Sequence, residues 1–305
     1  MRLVTLAPAK VNLVLRVGPP RADGYHDILS LMVPLDLADT VDVTVHARAG
    51  GVTCRVPGRP DLDGPANLAA RAAALVKERF GKENAVAIRI AKRIPVTAGL
   101  GGGSSDAAAV IRALAGAFRI RDRASLAEIA LRVGSDVPFF LGRGAAWARG
   151  RGERLSPARV PPLDLVLLYP SDPRLAIRAA DAYRWLDADR GPDAPSLPHR
   201  AVAFRPALLG NDLEPPCLAR RPELSTLLGR LVGRAARAAI MSGSGPTVFG
   251  VFPSRPDARG AARSIAKEVA GPGVKVLAVR TVRRQPRVVP WRSPRSASSP
   301  STRRS

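Results

Sequence analysis

The stretch Pro95, Val96, Thr97, Ala98, Gly99, Leu100, Gly101, Gly102, Gly103, Ser104 and Ser105 places four glycines in five positions and ends in two hydroxyls. Glycine removes the side chain where something must come close, and successive bare N–H groups in such a turn form a concave nest for an anion. A helix beginning at Ser104 would add its free N–H groups and partial positive charge, so an oligophosphate suits the loop. Ser104 and Ser105 are placed to bond a phosphate or a metal ion; Ser104 equally suits an ordinary helix cap. The loop matches neither of two common phosphate templates. It lacks the Gly-Lys-Ser/Thr of a Walker A loop, and the sixth residue from Gly99 or Gly101 is Ser104 or Asp106 where a dinucleotide fingerprint needs glycine.

Lys10 and Asn12 lie two apart in an apolar run. On a strand both point to one face, and Val11, Leu13 and Leu15 point to the other, into the core. A lysine there is costly unless it meets an anion or an acid in a cleft; a solvated strand face is the plainer alternative. "MSGSGP" (241–246) is a second loop of small residues, between two strands. Gly243 and Ser244 would close over substrate phosphates through backbone N–H groups, or the loop is only a tight hairpin. Lys92, three residues before the glycine loop, is placed to reach a nucleotide held there.

These groups need a frame. Residues 85–94 alternate as a strand, the loop follows, and "SSDAAAVIRALAGAF" reads as a helix, which is the order an anion-binding loop requires. Residues 2–17 read as strands broken at Pro8. Residues 39–47 and 51–56 read as a hairpin around Gly50-Gly51, and 67–81 and 125–134 as helices. Residues 135–142 form a compact turn. Residues 145–155 cross into a second α+β unit with mostly antiparallel pairing: strand 163–170, helix 176–187, a Pro-rich connection to about 200, helix 222–235, strands 238–245 and 247–253, helix 256–270 and strand 274–282. From 283 to 305 the chain has seven arginines, no acid and many Ser and Pro, a composition that predicts disorder.

The 305 residues, 46% of them hydrophobic, suffice for one large or two ordinary domains. Two distant cysteines argue against a disulfide scaffold and a zinc site, and fit a reducing compartment. No apolar run has the length of a membrane span, so no membrane partner and a cytoplasmic location are expected. The net charge of +23 would attract nucleic acid or phosphorylated small molecules. Its arginines are scattered and accompany abundant Ala, Pro and Gly, which points to compositional bias, so no nucleic-acid partner is expected.

"PVTAGLGGGSSDAAA" resembles the central motif of the GHMP kinases. "APAKVNLVLRV" (7–17), "RADGYHDILSLM" (21–32), "GSDVPFFL" (134–141), "GNDLEP" (210–215) and "MSGSGPTVFGVF" (241–252) are similar, in order, to the branch of that superfamily whose acceptor carries a cytidyl diphosphate. The resemblance spans about 5 to 282 and leaves out the basic tail. It implies an α+β GHMP kinase fold: a ribosomal protein S5 domain 2-like ATP-binding domain (1–153), a ferredoxin-like C-terminal domain (154–282) and a basic tail (283–305). It implies transfer of the γ-phosphate of ATP, with Mg2+, to the 2-hydroxyl of 4-diphosphocytidyl-2-C-methylerythritol, a small-molecule substrate, by a monomer or homodimer. Mevalonate, homoserine or a sugar as acceptor, or a basic nucleic-acid-binding protein, are the alternatives.

The resemblance also implies roles. Asp136 is the base that takes the proton of the attacking hydroxyl, and Lys10 beside it keeps it ionised. On sequence alone Asp136 is equally a turn aspartate capping "VPFFL". His26 recognises the cytosine, Tyr25 lines its pocket and Asn12 belongs to the substrate side. Tyr183 stacks on the base, although its spacing also suits a helix core position. Asn67, with Leu68, meets the adenine. Asp106 stands where some relatives carry Asn and is placed to touch Mg2+. The superfamily's magnesium-binding glutamate has no clear counterpart, which leaves the metal ligands unknown.

Overall fold

The computed structural model describes residues 1–190, 197, 203–269, 273–286 and 288–290. The first sheet is built on two long strands, β1 (Arg2–Pro20) and β2 (His26–Ala49), paired antiparallel. Pro8 does not end β1. The pairing shifts register between Pro8 and Lys10 and again between Asn12 and Val14, so bulges absorb the missing proline donor. The second bulge also breaks the expected alternation: Leu13 and Val14 enter one core cluster and Leu15 another.

β3 (Val52–Arg55) follows β2, then α1 (Leu68–Arg79) and β4 (Asn84–Ala91). The expected hairpin at Gly50-Gly51 is absent. β2 is already paired on both edges, by β1 and β4, so β3 adds parallel to the outer edge of β4, from Val52↔Val86 to Arg55↔Arg89. After β4 come α2 (Gly102–Ala117), α3 (Arg123–Val133) and α4 (Val137–Leu141), the last where a turn was expected. The helices pack on the sheet through small residues: Ala69, Ala72, Ala73, Ala107, Ala109 and Ala113 are fully buried with Val41, Val43 and Ile90. Residues 145–155 do not leave this sheet. β5 (Ala146–Gly150) pairs with β2 and turns through Gly150 and Gly152, both at positive φ, into β6 (Arg154–Pro157).

The second sheet begins at β7 (Asp164–Pro170). It is followed by α5 (Ala179–Arg190), β8 (Gly210–Asn211), α6 (Glu214–Arg220), α7 (Glu223–Val232), β9 (Ala238–Met241), β10 (Val248–Phe252), α8 (Arg255–Glu268) and β11 (Val274–Arg280). The order β11-β7-β10-β9, all antiparallel, is the 4-1-3-2 order of a ferredoxin-like βαββαβ unit. Alternation along β7 separates two cores. Leu165 and Leu167 join Val11, Leu13, Leu31 and Phe249 between the sheets, and Val166 and Leu168 face α5–α8. α6 had no anticipated counterpart; its two prolines sit in the first turn, where a missing N–H costs no helical bond. β8 adds parallel to β1 beside the second bulge.

The tail's first residues are ordered, against expectation. β12 (Val289–Pro290) pairs antiparallel with Leu3 and Val4 of β1. The rest of the tail, and most of the Pro-rich connection after α5, lie outside the described residues. Cys54 and Cys217 are free and buried, and burial pushes their thiols up to about 11 and about 12.

Candidate active site

The glycine loop joins β4 to α2. Its helix starts at Gly102, and the cap is Gly101 in a left-handed conformation (φ +69°), not Ser104. A Cβ at Gly101 would lie 2.9 Å from Phe140 Cζ, so α4 demands the bare position. The loop's other side lines a cavity of about 390 Å3 with Pro95 through Ser104, Asn67, Leu68, Lys92 and Asp106 on its wall. The N–H groups of the first α2 turn face no helical acceptor, so backbone donors and helix polarity favour an anion here. The early start rephases the helix. Ser105 falls inside, fully buried and off the cavity wall, with its N–H donated to Gly101 O (2.9 Å); Ser104 keeps the wall position.

The structure assigns tasks to the two other residues expected near the nucleotide. Asn67 caps α1, accepting from Ala69 N (2.9 Å) and donating Nδ2 to Leu62 O (2.9 Å). Lys92 does not extend free into the cavity: Nζ donates to Asp39 Oδ2 (2.5 Å) and Asp106 Oδ2 (2.8 Å). Burial works against that ammonium, but the two carboxylates outweigh it and hold its pKa above the ordinary value. Burial pushes the Asp106 carboxyl up to about 7; Lys92 opposes the shift and Asp39 adds to it.

A raised acid binds its proton in the folded chain where the unfolded chain has lost it. Asp106 therefore contributes stability that is present at low pH and lost as pH rises from the ordinary carboxylate range through about 7. The Tm of the native chain, measured against that of Asp106→Asn, is expected to be highest near about pH 4 and to fall progressively up to about pH 8. Parallel melting profiles across that range would refute this.

Lys10 is the contact between the two halves of the site. Its backbone N–H donates to Leu100 O (2.9 Å) in the loop. Its buried Nζ donates to Asn12 Oδ1 (2.7 Å) and lies 3.3 Å from Asp136 Oδ2. Asn12 is itself held by Nδ2 donation to Ser30 Oγ (2.7 Å), whose hydroxyl donates to Val14 O (2.9 Å). Asp136 stands at the start of α4 but makes no side-chain cap bond, so the capping alternative fails and the carboxylate faces Lys10. An aspartate side chain beside a buried lysine, above an anion nest, can accept a proton from a hydroxyl next to a phosphate.

The β9–β10 loop completes this region. Ser242 Oγ donates to Gly99 O (3.3 Å), and Gly243 is packed so that a Cβ would lie 3.2 Å from Asn12 Oδ1 and 3.6 Å from Lys10 Nζ. Ser244 is at the tip of the turn closed by Gly245 N donating to Ser242 O. The residues of "GNDLEP" prop this loop: Asn211 Nδ2 donates to Met241 O (2.8 Å) and Gly243 O (2.7 Å), and Glu214 Oε2 accepts from Met241 N (2.6 Å).

A second cavity, of about 580 Å3, opens beside Gly134 and Ser135, the residues just before Asp136. Tyr25, His26 and Tyr183 line it. The His26 and Tyr183 rings stack at 5.1 Å and 25°. Tyr183 also packs partly into the second core, so it stands both on the cavity wall and at a helix core position. Burial and the charge of Asp136 raise its phenol. Two residues here were not anticipated. Asp187 Oδ1 lies 2.9 Å from His26 Nε2, and the Arg151 guanidinium sits 4.6 Å over the exposed Tyr25 ring. Asp187 follows Tyr183 by four, one helical turn, which is a legible signal; Arg151 had none. Aromatic faces with a fixed imidazole can take a planar heterocycle.

Comparison with known proteins agrees with this geometry. Residues 67–144 match the GHMP kinases N terminal domain and residues 199–271 the GHMP kinases C terminal model. The chain is 72% identical over 309 aligned positions, covering 100% of it and 99% of the relative, to a 4-diphosphocytidyl-2-C-methyl-D-erythritol kinase of Anaeromyxobacter dehalogenans (strain 2CP-C). It is 44% identical to the like-named protein of Geobacter metallireducens, over 87% of this chain and 95% of that one. A crystal structure of a 4-(cytidine 5'-diphospho)-2C-methyl-D-erythritol kinase superposes with a TM-score of 0.76 at 38% identity, covering 91% of this chain and 98% of the other.

Proposed function

We propose which residues carry the reaction in this chain, which belongs to the 4-diphosphocytidyl-2-C-methyl-D-erythritol kinase family of the GHMP kinases. It is an ATP-dependent kinase that passes the γ-phosphate to the 2-hydroxyl of 4-diphosphocytidyl-2-C-methyl-D-erythritol, in the methylerythritol phosphate route to isoprenoid precursors. Asp136 takes the hydroxyl proton, and Lys10 orients the Asp136 carboxylate and steadies charge on the attacking oxygen. The observation that supports this most is the 3.3 Å pair itself, set between the glycine-loop cavity and the aromatic cavity. Phosphoryl transfer asks a protein mainly for positioning and charge, which this arrangement supplies.

The loop from Pro95 to Ser104 holds the ATP phosphates through backbone N–H groups, and the wall at Asn67 and Leu68 meets the adenine. Mg2+ accompanies the nucleotide. Among the described residues no three His, Cys, Asp or Glu side chains gather into a cage, so the protein would supply a single carboxylate to the ion. Asp106 Oδ1, buried by the cavity wall and without a hydrogen-bond partner among the described residues, fits as that carboxylate oxygen. When bound there, the ion neutralises charge on the phosphates. Tyr25, His26 and Tyr183 take the cytosine, and Gly243 and Ser244 close over the diphosphate. We take the enzyme as a cytoplasmic monomer or homodimer without a nucleic-acid or membrane partner; among the described residues no helix is long and apolar enough to cross a membrane.

ADP release from Mg-ATP should depend on the cytidyl substrate. Turnover with mevalonate or homoserine and none with the cytidyl substrate would overturn the assignment of the aromatic cavity. Tyr183→Leu keeps apolar bulk but removes the stacking face. It should raise KM for the cytidyl substrate about 5- to 150-fold, the equivalent of ~1–3 kcal/mol of base stacking, with KM for ATP unchanged. Equal changes in both constants would remove Tyr183 from the base site.

A further inference from the structure

After β11 the chain crosses back over the first unit. Thr281 bridges Leu35, and Val282 N donates to Pro34 O (2.9 Å). Arg283 O packs so closely on Gly144 that a Cβ there would lie 2.5 Å away. Gln285 N donates to Arg143 O (2.9 Å), Val288 packs on the first core and β12 joins β1. These contacts describe a strap fixed at Thr281, Val282, Arg283, Gln285, Val288 and β12, made largely from a segment whose composition predicts disorder.

The strap touches one catalytic element. Gln285 Nε2 donates to Phe139 O (3.1 Å), and Arg112 of α2 donates Nη1 to Phe140 O. These carbonyls lie near the C-terminal end of α4, and Asp136 stands at its other end. Both clamping side chains sit where they are otherwise ill-satisfied. Arg112 Nε and Nη2 and Gln285 Oε1 are buried without a hydrogen-bond partner among the described residues. A buried guanidinium and a buried amide that satisfy so few of their own groups add little to stability, so a packing role does not account for them. Five residues of helix span about 7.5 Å, short enough for a tilt at the clamped end to move Asp136 relative to Lys10.

We propose that the strap is a positioning device: Gln285, with Arg112, holds the C-terminal carbonyls of α4 and thereby fixes Asp136 against Lys10. This rests on the assignment of Asp136 as the base. The full-length enzyme is assayed as native, Gln285→Ala, Asp136→Asn and the double variant, with kcat normalised to the folded fraction by circular dichroism. Gln285→Ala should lower kcat about tenfold, part of the hundredfold that a misplacement of ~1 Å can cost, with both KM values within about threefold. In the Asp136→Asn background the same change should alter the residual rate less than about twofold, because residues acting as one unit are not additive. A kcat within about twofold of native, or an equal loss in both backgrounds, overturns the proposal. Loss of turnover in Asp136→Asn beside a native Gln285→Ala sinks the strap and leaves the base. Native turnover in Asp136→Asn sinks both. If Gln285→Ala is unstable, Arg112→Met, which leaves an apolar side chain in its place, gives the same readings.

Discussion

Asp136→Asn is expected to lower kcat about 10²- to 10⁴-fold, the range a positioned general base contributes, with Tm shifted by only a few degrees. The small stability effect follows from what Asp136 does not do. It caps no helix, and its side chain is 36% exposed. The asparagine amide keeps the shape, and Lys10 Nζ keeps its bond to Asn12 Oδ1. What is lost is the capacity to accept a proton beside the nest. Lys10→Met should be as damaging to kcat, because it removes the ammonium that steadies charge on the attacking oxygen and faces the Asp136 carboxylate at 3.3 Å. It differs in leaving Asn12 Oδ1 without that donor in a buried site, so its Tm should fall further than that of Asp136→Asn. The check is ADP release at saturating ATP and cytidyl substrate, beside ATP binding by calorimetry. A kcat for Asp136→Asn within tenfold of native, at unchanged ATP affinity, would mean that the hydroxyl loses its proton without Asp136.

The parts of this site that local pattern fixes were legible, and the parts that distant segments fix were not. Strand, glycine loop and helix follow from alternation and from glycine placement, and all three stand in the expected order. Period two put Lys10 and Asn12 on one face, and the Lys10–Asn12 bond follows from it. The helix start was misplaced by two residues because the cap is a backbone conformation, Gly101 at positive φ, that residue type only permits. That small phase error carried Ser105 from the cavity to the interior. The ion pairs of Lys92, which does line the cavity, were not legible for another reason: Asp39 lies 53 positions earlier, and only the pairing of β2 with β4 brings it close. The same logic placed β3 wrongly, since the free edge of a sheet depends on every other strand. Composition misjudged the first residues of the tail. Arg, Ser and Pro suggest disorder when summed, but Gln285 and β12 are ordered by the surface they meet. The family resemblance supplied the roles of Asp136, His26 and Tyr183, yet not Asp187, which emerges from the helical turn it shares with Tyr183.

Gly99→Ala is expected to lower kcat/KM for ATP about a hundredfold and to reduce Tm by several degrees. Gly99 has φ +73°, a conformation that costs an L-residue roughly 1–2 kcal/mol. The space is also closed. A Cβ would lie 2.6 Å from Ser242 O and 2.8 Å from Gly245 O, and both are backbone atoms of the β9–β10 loop, so no side chain can rotate away. One loop must withdraw from the other, and either movement reaches the chemistry. The glycine loop carries Leu100, whose carbonyl holds Lys10 N, and the opposing loop carries Gly243 beside Asn12 and Lys10 Nζ. The variant should therefore lose ATP positioning and the Lys10–Asp136 geometry together. Gly116→Ala is the matched control. Gly116 lies within α2 with nothing within 4 Å of its Cβ position, so alanine should raise helix stability by about 0.5–1 kcal/mol and leave both rate constants unchanged. Steady-state kinetics in ATP and a thermal melt decide between them. If Gly99→Ala kept native KM and kcat, the two loops would be free to part, and the closure of the β9–β10 loop over the substrate phosphates would have to be given up.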